Sequence, residues 1–487
     1  MAKETKSPGG MRESEQATVP ETRRSDPSEP AEGEACQAGQ PLEGKMTGTK
    51  GLEDISTKQQ RIAELAKRFE TLTTLSHHVD MAWMREAHRC TRKDGATGVD
   101  GQSAEEYEEK LEENLQSLLE RAKAGTYRAP AVRRVHIPKG NGETRPIGIP
   151  TFEDKVLQRA VKMVLEPIYE QDFLPCSFGF RPGRNTHQCI EELRDAARKI
   201  AGGWVLEVDI RKFFDSIPRP QLLEVLNRRV RDGVISRLVA KWLHAGVMED
   251  GATTYPEAGT PQGGVISPLL ANIYLHEVLD AWFERDVRPK MNGRAHLFRY
   301  ADDAVMLFEK EEDARRVLKV LPKRLEKYGL TLHPEKTRLV RFKRPDRDRT
   351  DDDGDGGAPR TGTFDFLGFT HLWAQMRNQH WVILRRTARD RFARAVKKVW
   401  LWIKTNRHRP IVEQQQGLAQ RLRGHYGYYA IRGNKNRAWS FLRLVTRAWK
   451  TWLERRSDKA GMGWRRYRAI LKRFPLPTPV ANSQQTS

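Results

Sequence analysis

Two adjacent carboxylates, Asp302 and Asp303, follow Tyr300-Ala301 between short apolar runs, Leu297-Phe298 before them and Ala304-Val305-Met306-Leu307-Phe308 after. The pattern predicts a β-hairpin with paired acids at its tip. Like charges side by side repel, so the pair calls for a compensating cation unless it is a turn screened by water alone. Tyr-x-Asp-Asp arises by chance in about one chain in twenty of this size, so a third acid has to decide. That acid is Asp209, in Trp204-Val205-Leu206-Glu207-Val208-Asp209-Ile210, which reads as a mostly buried strand. Leu206, Val208 and Ile210 share one face, and Asp209 points to the other. A carboxylate in an apolar strand is costly unless it is ion-paired or binds metal, and both readings stand on these residues. On the metal reading, three carboxylates from a strand and a neighbouring hairpin hold two Mg²⁺ ions about 4 Å apart. One ion would activate an attacking 3′-hydroxyl and the other steady a pyrophosphate leaving group, which is nucleotidyl transfer.

The elements around these acids supply further candidates. Val132 to Lys139 and Thr144 to Pro150 read as two strands joined by the turn Gly140-Asn141-Gly142, with Lys139 and Arg145 placed to reach a triphosphate. A helix is predicted from Phe152 to Glu170, followed by a basic loop, Ser177 to Arg184. After Asp209, Phe213 and Phe214 precede Asp215 and Pro218, which end the strand and open a helix near 220. An aromatic ring just beyond a metal-binding Asp can press on the sugar of an incoming nucleotide, although such rings are more often core. Gly259 to Pro268 is a turn-rich loop whose glycines let backbone approach a ligand, with Ser267 as N-cap and Pro268 as first helical residue. Leu269, Leu270, Ile273, Leu279 and Trp282 then line a buried helix. Helical spacing begins at Ile62, and an acidic helix is expected over 103–123. Past Phe364-Asp365-Phe366-Leu367-Gly368-Phe369, helices are predicted near 384–405, 411–430 and 436–456, with Phe392, Val396, Trp400 and Ile403 on one stripe.

The net charge is +22 over 487 residues, and it is concentrated. Residues 381–480 hold 26 Lys and Arg against 4 Asp and Glu, a balance of +22, so the rest of the chain, 60 against 60, is neutral. Seven of the twelve tryptophans fall in the same window. Cations interleaved with aromatics suit a groove that tracks phosphates and stacks on bases. Cys36, Cys90, Cys176 and Cys189 form no Cys-x-x-Cys, which argues against a disulfide framework or a zinc ribbon. No apolar run approaches about 20 residues, so a membrane span is not expected and the chain is assigned to the cytoplasm. Residues 1–55 and 345–362 are too hydrophilic for a core and read as a disordered tail and a flexible insertion.

Seven blocks occur in one order: Lys93-Asp94-Gly95 through Gly98-Val99-Asp100-Gly101, Ile137-Pro138-Lys139 through Arg145-Pro146, Gly179-Phe180-Arg181-Pro182, Asp209-Ile210 through Phe213-Phe214-Asp215, Thr260-Pro261-Gln262-Gly263-Gly264, Tyr300 to Asp303, and Phe366-Leu367-Gly368-Phe369. In this order they resemble the group II intron reverse transcriptase/maturase family, from about residue 80 to 475. The resemblance implies an α/β (α+β) right-hand polymerase with an antiparallel palm sheet and an α-helical thumb/maturase domain. The expected layout is a tail at 1–55, an N-terminal extension and fingers at 56–200, a palm at 201–372, a thumb/maturase domain at 373–456, and a short basic segment and tail at 457–487.

By the same resemblance Asp209, Asp302 and Asp303 are the catalytic, metal-binding acids, joined as a ligand by the backbone carbonyl of Ile210. Lys139, Arg145, Phe214 and Gln262 contact the dNTP, with Phe214 the gate against a ribose 2′-hydroxyl, and Lys336 helps pyrophosphate leave. Arg181, Arg184, Arg421, Arg423 and Tyr426 are the expected RNA contacts. The implied partners are the intron RNA, a DNA target and primer, and dNTPs, with a homodimer allowed and the nucleoid as the place of action on DNA. Many family members end in an endonuclease with two cysteine pairs; no cysteine follows Cys189, so an endonuclease-lacking type is expected, with its primer supplied from elsewhere. The resulting expectation is an RNA-directed DNA polymerase that also assists splicing and homing of its intron. A non-catalytic splicing cofactor and a domesticated repair or defence reverse transcriptase are the alternatives.

Overall fold

The computed structural model describes residues 54–138, 144–249, 251–255, 263–345, 361–456 and 461–479. Lys139, Gln262, the Gly140–Gly142 turn and nearly all of the expected tail and insertion lie outside these ranges.

The N-terminal part is helical: α1 (Ile55–Arg68), α2 (Met81–Arg89), α3 (Ala104–Glu108) and α4 (Leu111–Ala124). The acidic helix expected over 103–123 is thus two helices. Ser103 opens the first with a capping box to Glu106, and the chain breaks at Glu109-Lys110 before the second. Helix also starts at Ile55, seven residues before Ile62, where the apolar spacing first becomes legible.

Strands β1 (Val132–Pro138) and β2 (Thr144–Ile149) pair antiparallel, with Ile137 opposite Arg145. Next come α5 (Phe152–Tyr169), as expected from Phe152, and α6 (Thr186–Lys199). They lead to β3 (Trp204–Val208), α7 (Phe213–Ser216), α8 (Arg219–Arg229) and α9 (Gly233–Leu243). The short strands β4 (Val247–Glu249) and β5 (Ala252–Thr254) extend the first sheet to the order β2-β1-β4-β5, with β4 parallel to β1. Helix α10 (Ser267–Leu275) runs on through π-helical turns at His276–Asp280 and Phe283–Val287. Its N-cap is Ile266, one residue before the expected Ser267, which becomes the first helical residue.

The central sheet is built from β6 (Ala295–Tyr300) and β7 (Asp303–Phe308), then, after α11 (Glu311–Lys327), β8 (Arg338–Arg341). Its order is β6-β7-β3-β8, and every neighbouring pair is antiparallel. Both faces are covered, which is why its strands read as continuous apolar runs. Leu206, Val208, Ala304 and Met306 join one large core with α5, α8 and α10. Val205, Val305 and Leu307 face a second core with Phe178, Ile190, Phe342 and Phe369.

That second core explains a correction. The segment after Phe369 is a sheet, β11-β10-β9, made of β9 (Phe364–Phe366), β10 (Phe369–Gln375) and β11 (Trp381–Thr387), so no helix begins at 384. Val382-Ile383-Leu384 is a β-branched apolar run behind a turn in which Gln379 takes φ +63°, and Trp373 and Ile383 complete the core. A domain boundary at 372 therefore cuts through β10. The helices α12 (Arg389–Asn406), α13 (Ile411–Tyr429), α14 (Lys435–Glu454) and α15 (Trp464–Arg473) form the last layer. Leu418, Leu422, Phe441, Val445, Trp449 and Tyr467 lie in their common core, whereas Trp400 of the expected stripe is 38% exposed. Among the described residues no helix is long and apolar enough to cross a membrane.

Candidate active site

The central sheet converges on the acids. Val208 of β3 pairs with Ala304 of β7, so the next register position sets Asp209 opposite Asp303. Tyr300 pairs with Asp303 across the hairpin, leaving Ala301 and Asp302 as its tip. Ala301 takes φ +56°, a left-handed conformation that costs a side-chain-bearing residue free energy and must be held by its surroundings. Part of the hold is the loop Ser177–Phe180, which runs along the edge of β6: the Phe178 amide donates to the Arg299 carbonyl and the Arg299 amide to that of Cys176. Gly179 lies so close that a Cβ there would fall 2.4 Å from the Ala301 nitrogen, so only glycine fits.

Asp209 is fixed from its other side. Its carbonyl accepts from the His333 amide at 2.8 Å, and the Arg211 amide donates to Thr331 at 2.8 Å. This bridge leaves the Ile210 carbonyl uncommitted to it. The segment after Leu332 also carries Lys336, whose ammonium is 3.0 Å from the Asp209 carboxylate. Beyond Asp209, Lys212 takes φ +46° and turns the chain into α7, with Phe213 buried and Phe214 half-buried against it at 5.2 Å.

The charges interact. Burial pushes the Asp302 carboxyl up from its ordinary value, Asp209 adds to this, and the guanidinium groups of Arg145 and Arg299 oppose it. Asp303 is pushed up to about 7, first by burial and then by repulsion from Asp302 and Asp209, with Arg391 and Lys336 opposing. Asp303 is nevertheless solvent-exposed, and water there screens part of the effect. Arg145 comes from β2 and Arg391 from the start of α12, so the first sheet and the helical layer both bring positive charge to the acids. A Cβ on Gly263 would fall 2.4 Å from the Gly148 oxygen, so Gly263 packs directly on the strand that carries Arg145.

Three mutually repelling carboxylates with all-oxygen donors fit divalent cations, which would relieve the repulsion. As placed, no group of three His, Cys, Asp or Glu among the described residues is close enough to hold a metal, and Asp209 is engaged with Lys336.

Residues 137–371, which span the acids, match the family model described as reverse transcriptase (RNA-dependent DNA polymerase). The group II intron-encoded protein LtrA of Lactococcus lactis subsp. cremoris is 35% identical over 245 residues, 48% of this chain and 40% of that protein. Over these residues the chain is similar to group II intron-encoded reverse transcriptases. Protein YkfC of Escherichia coli (strain K12) is 40% identical over 202 residues, 40% of this chain and 53% of that protein. Nuclear intron maturase 2, mitochondrial, of Arabidopsis thaliana is 32% identical over 178 residues, 28% of this chain and 24% of that protein. The chain thus matches about half, or less, of the length of these curated relatives.

Several of the expected RNA contacts are placed unexpectedly. Arg181 is turned inward, forked onto Glu170 and donating to the Leu174 and Ser177 carbonyls, so it braces its own loop. Tyr426 is buried in the helical core, and burial drives its hydroxyl pKa up. The apolar environment of this helix face has claimed it. Tyr428 and Tyr429 pack on Phe369, and the Tyr428 hydroxyl donates to the Leu367 carbonyl at 2.9 Å, so this tyrosine run ties α13 to the sheet. Arg423 is exposed, Arg184 half-exposed over Phe178, and Arg421 lies over the Trp402 ring at 4.2 Å. Sequence reasoning passed over Arg391 and Arg299. The signal for the second was a lone arginine between Phe298 and Tyr300 in a mostly apolar strand.

Proposed function

We propose that the chain is an RNA-directed DNA polymerase with Asp209, Asp302 and Asp303 as its catalytic acids, and that it also assists splicing and retrohoming of the intron RNA encoding it. The observation that carries this reading is the register of β3 and β7, which sets Asp209 opposite Asp303 inside the reverse transcriptase match. In this reading the central sheet is the palm, β1 and β2 belong to the fingers, and α12–α14 form the thumb/maturase layer.

Two Mg²⁺ ions, when bound, would activate the primer 3′-hydroxyl and neutralise charge on the leaving pyrophosphate. Asp209, Asp302, Asp303 and the Ile210 carbonyl would hold them, with Asp209 giving up Lys336. Arg145, with Lys139 from the same hairpin, would grip the triphosphate, and the half-buried Phe214 ring would face the sugar with Gln262 and reject a 2′-hydroxyl. Lys336, freed from Asp209, would supply positive charge and a proton to the departing pyrophosphate. Intron RNA would lie on the basic helical layer, with Arg184, Arg421, Arg423 and the exposed tryptophans at its contacts, and a DNA strand would serve as primer. This would take place in the cytoplasm, on nucleoid DNA during homing.

Incubating the protein with a primed RNA template, Mg²⁺ and dNTPs tests the reading, and a DNA copy of the template is expected. Tight RNA binding without any DNA product would leave a splicing cofactor in its place.

A further inference from the structure

The turn that carries Asp302 and Asp303 sits on a buried charged network that has no role in the chemistry so far. Arg299, the residue before Tyr300, is fully buried, and all five of its N–H donors are used. Its Nε and one Nη2 hydrogen go to the two oxygens of Asp280 at 2.7 and 2.6 Å, and the second Nη2 hydrogen to the Ser177 hydroxyl at 2.7 Å. Nη1 donates to Asn272 Oδ1 and to the Ala301 carbonyl, both at 2.9 Å. Asn272 passes the contact on, its amide donating to the Gly179 carbonyl at 2.7 Å. Asp280, Asn272 and Ser177 are themselves buried. Arg299 thus touches the strained Ala301 peptide directly and, through Asn272, the Gly179 backbone packed against it.

Two further observations say that this is more than core packing. A buried ion pair contributes little stability compared with apolar residues of the same size, so its use here calls for a role in fixing geometry. Asp280 also lies in the π-helical turn His276–Asp280, and π-helical insertions are rare and frequently sit at functional sites. With every donor committed, the guanidinium has none left for nucleic acid or pyrophosphate.

We propose that Arg299 and Asp280 form a buried brace that holds the Ala301 peptide and thereby sets Asp302 and Asp303 in the arrangement that receives divalent cations. They are positioning residues, and the inference rests on the metal-dependent reading of the acids given above.

The test uses the full chain. In Arg299→Met/Asp280→Leu the pair is replaced by apolar side chains of similar size, which keeps the core filled. Circular dichroism and melting establish that it folds, and Mn²⁺ binding is titrated without substrates while synthesis on primed RNA is followed separately. The expected results are Mn²⁺ affinity weakened about tenfold and a maximal rate lowered roughly 100-fold, the scale of a misplacement near 1 Å, with unchanged affinity for primed RNA. A folded double variant with wild-type Mn²⁺ affinity overturns the brace. If the double variant does not fold, Ser177→Ala decides, since it removes one acceptor and keeps the pair. A shift of about threefold in Mn²⁺ affinity is expected, and none overturns the proposal. Because Mn²⁺ binding is read without DNA synthesis, failure of the brace is distinguishable from failure of the polymerase reading, which shows as wild-type protein that makes no DNA.

Discussion

Lys336 holds Asp209, ammonium to carboxylate at 3.0 Å, so one side chain supplies the positive charge that a cation would bring. The lysine is 64% exposed, and such pairs are worth up to about 1 kcal/mol, or roughly fivefold in affinity. Lys336→Met should therefore bind Mn²⁺ up to about fivefold more tightly in a titration without substrates. Its synthesis rate should fall by about 100-fold or more if the same lysine also assists the leaving group. Weaker Mn²⁺ binding would show that the pair does not compete with the metal.

The acids also predict a pH effect. The Asp303 carboxyl, ordinarily near 3.8, is pushed up to about 7. The folded metal-free protein keeps this proton where the unfolded chain has lost it, so this group's contribution to stability falls as pH rises from about 4 to 7. Melting temperatures without divalent cations should show wild type losing ground to Asp303→Asn between pH 5 and 8. Adding Mg²⁺ should remove the difference. A pH-independent gap would place the destabilisation elsewhere.

Phe214 is half-buried in edge contact with Phe213 on the turn forced by Lys212, so its ring is fixed. Phe214→Val should raise NTP incorporation relative to dNTP incorporation by roughly 100-fold in single-nucleotide extension, while dNTP use falls only modestly. Unaltered sugar selectivity would remove Phe214 from the gate.

The tryptophans of the basic region divide by burial. Trp449 is fully buried and donates to Gln414 at 2.9 Å, so Trp449→Ala should cost about 3–5 kcal/mol and lower the melting temperature. Trp439 and Trp464 are 38% and 50% exposed, and replacing either by alanine should weaken RNA binding by about 1–3 kcal/mol with little change in melting. Unchanged RNA affinity in both surface variants would move the RNA contact off this face.

What was legible in the sequence follows from what local pattern can encode. The strand before Asp209 and the hairpin of Asp302 and Asp303 are carried by short apolar runs; the hairpin forms as expected, and the strand ends at Val208, so that Asp209 follows it rather than lying within it. The register that brings Asp209 towards Asp303 pairs Val208 with Ala304, 96 residues on, and no local period encodes it. Val382-Ile383-Leu384 leads into the helix expected from 384, and packing in the second core makes this run strand. Tyr426 and Arg181 look like surface contacts by residue type, and burial and inward pairing remove them from that role. The Arg299 network was hidden because its four side chains lie on three segments, the loop of Ser177, the helix of Asn272 and Asp280, and β6.

The most direct test of the three acids is primer extension by wild type and Asp302→Ala, side by side on the same primed RNA with Mg²⁺ and dNTPs. The wild-type protein is expected to copy the template into DNA, and the variant to fall by about 1,000-fold or more while binding the primed RNA equally well. Synthesis by Asp302→Ala at the wild-type rate would contradict the assignment of the site.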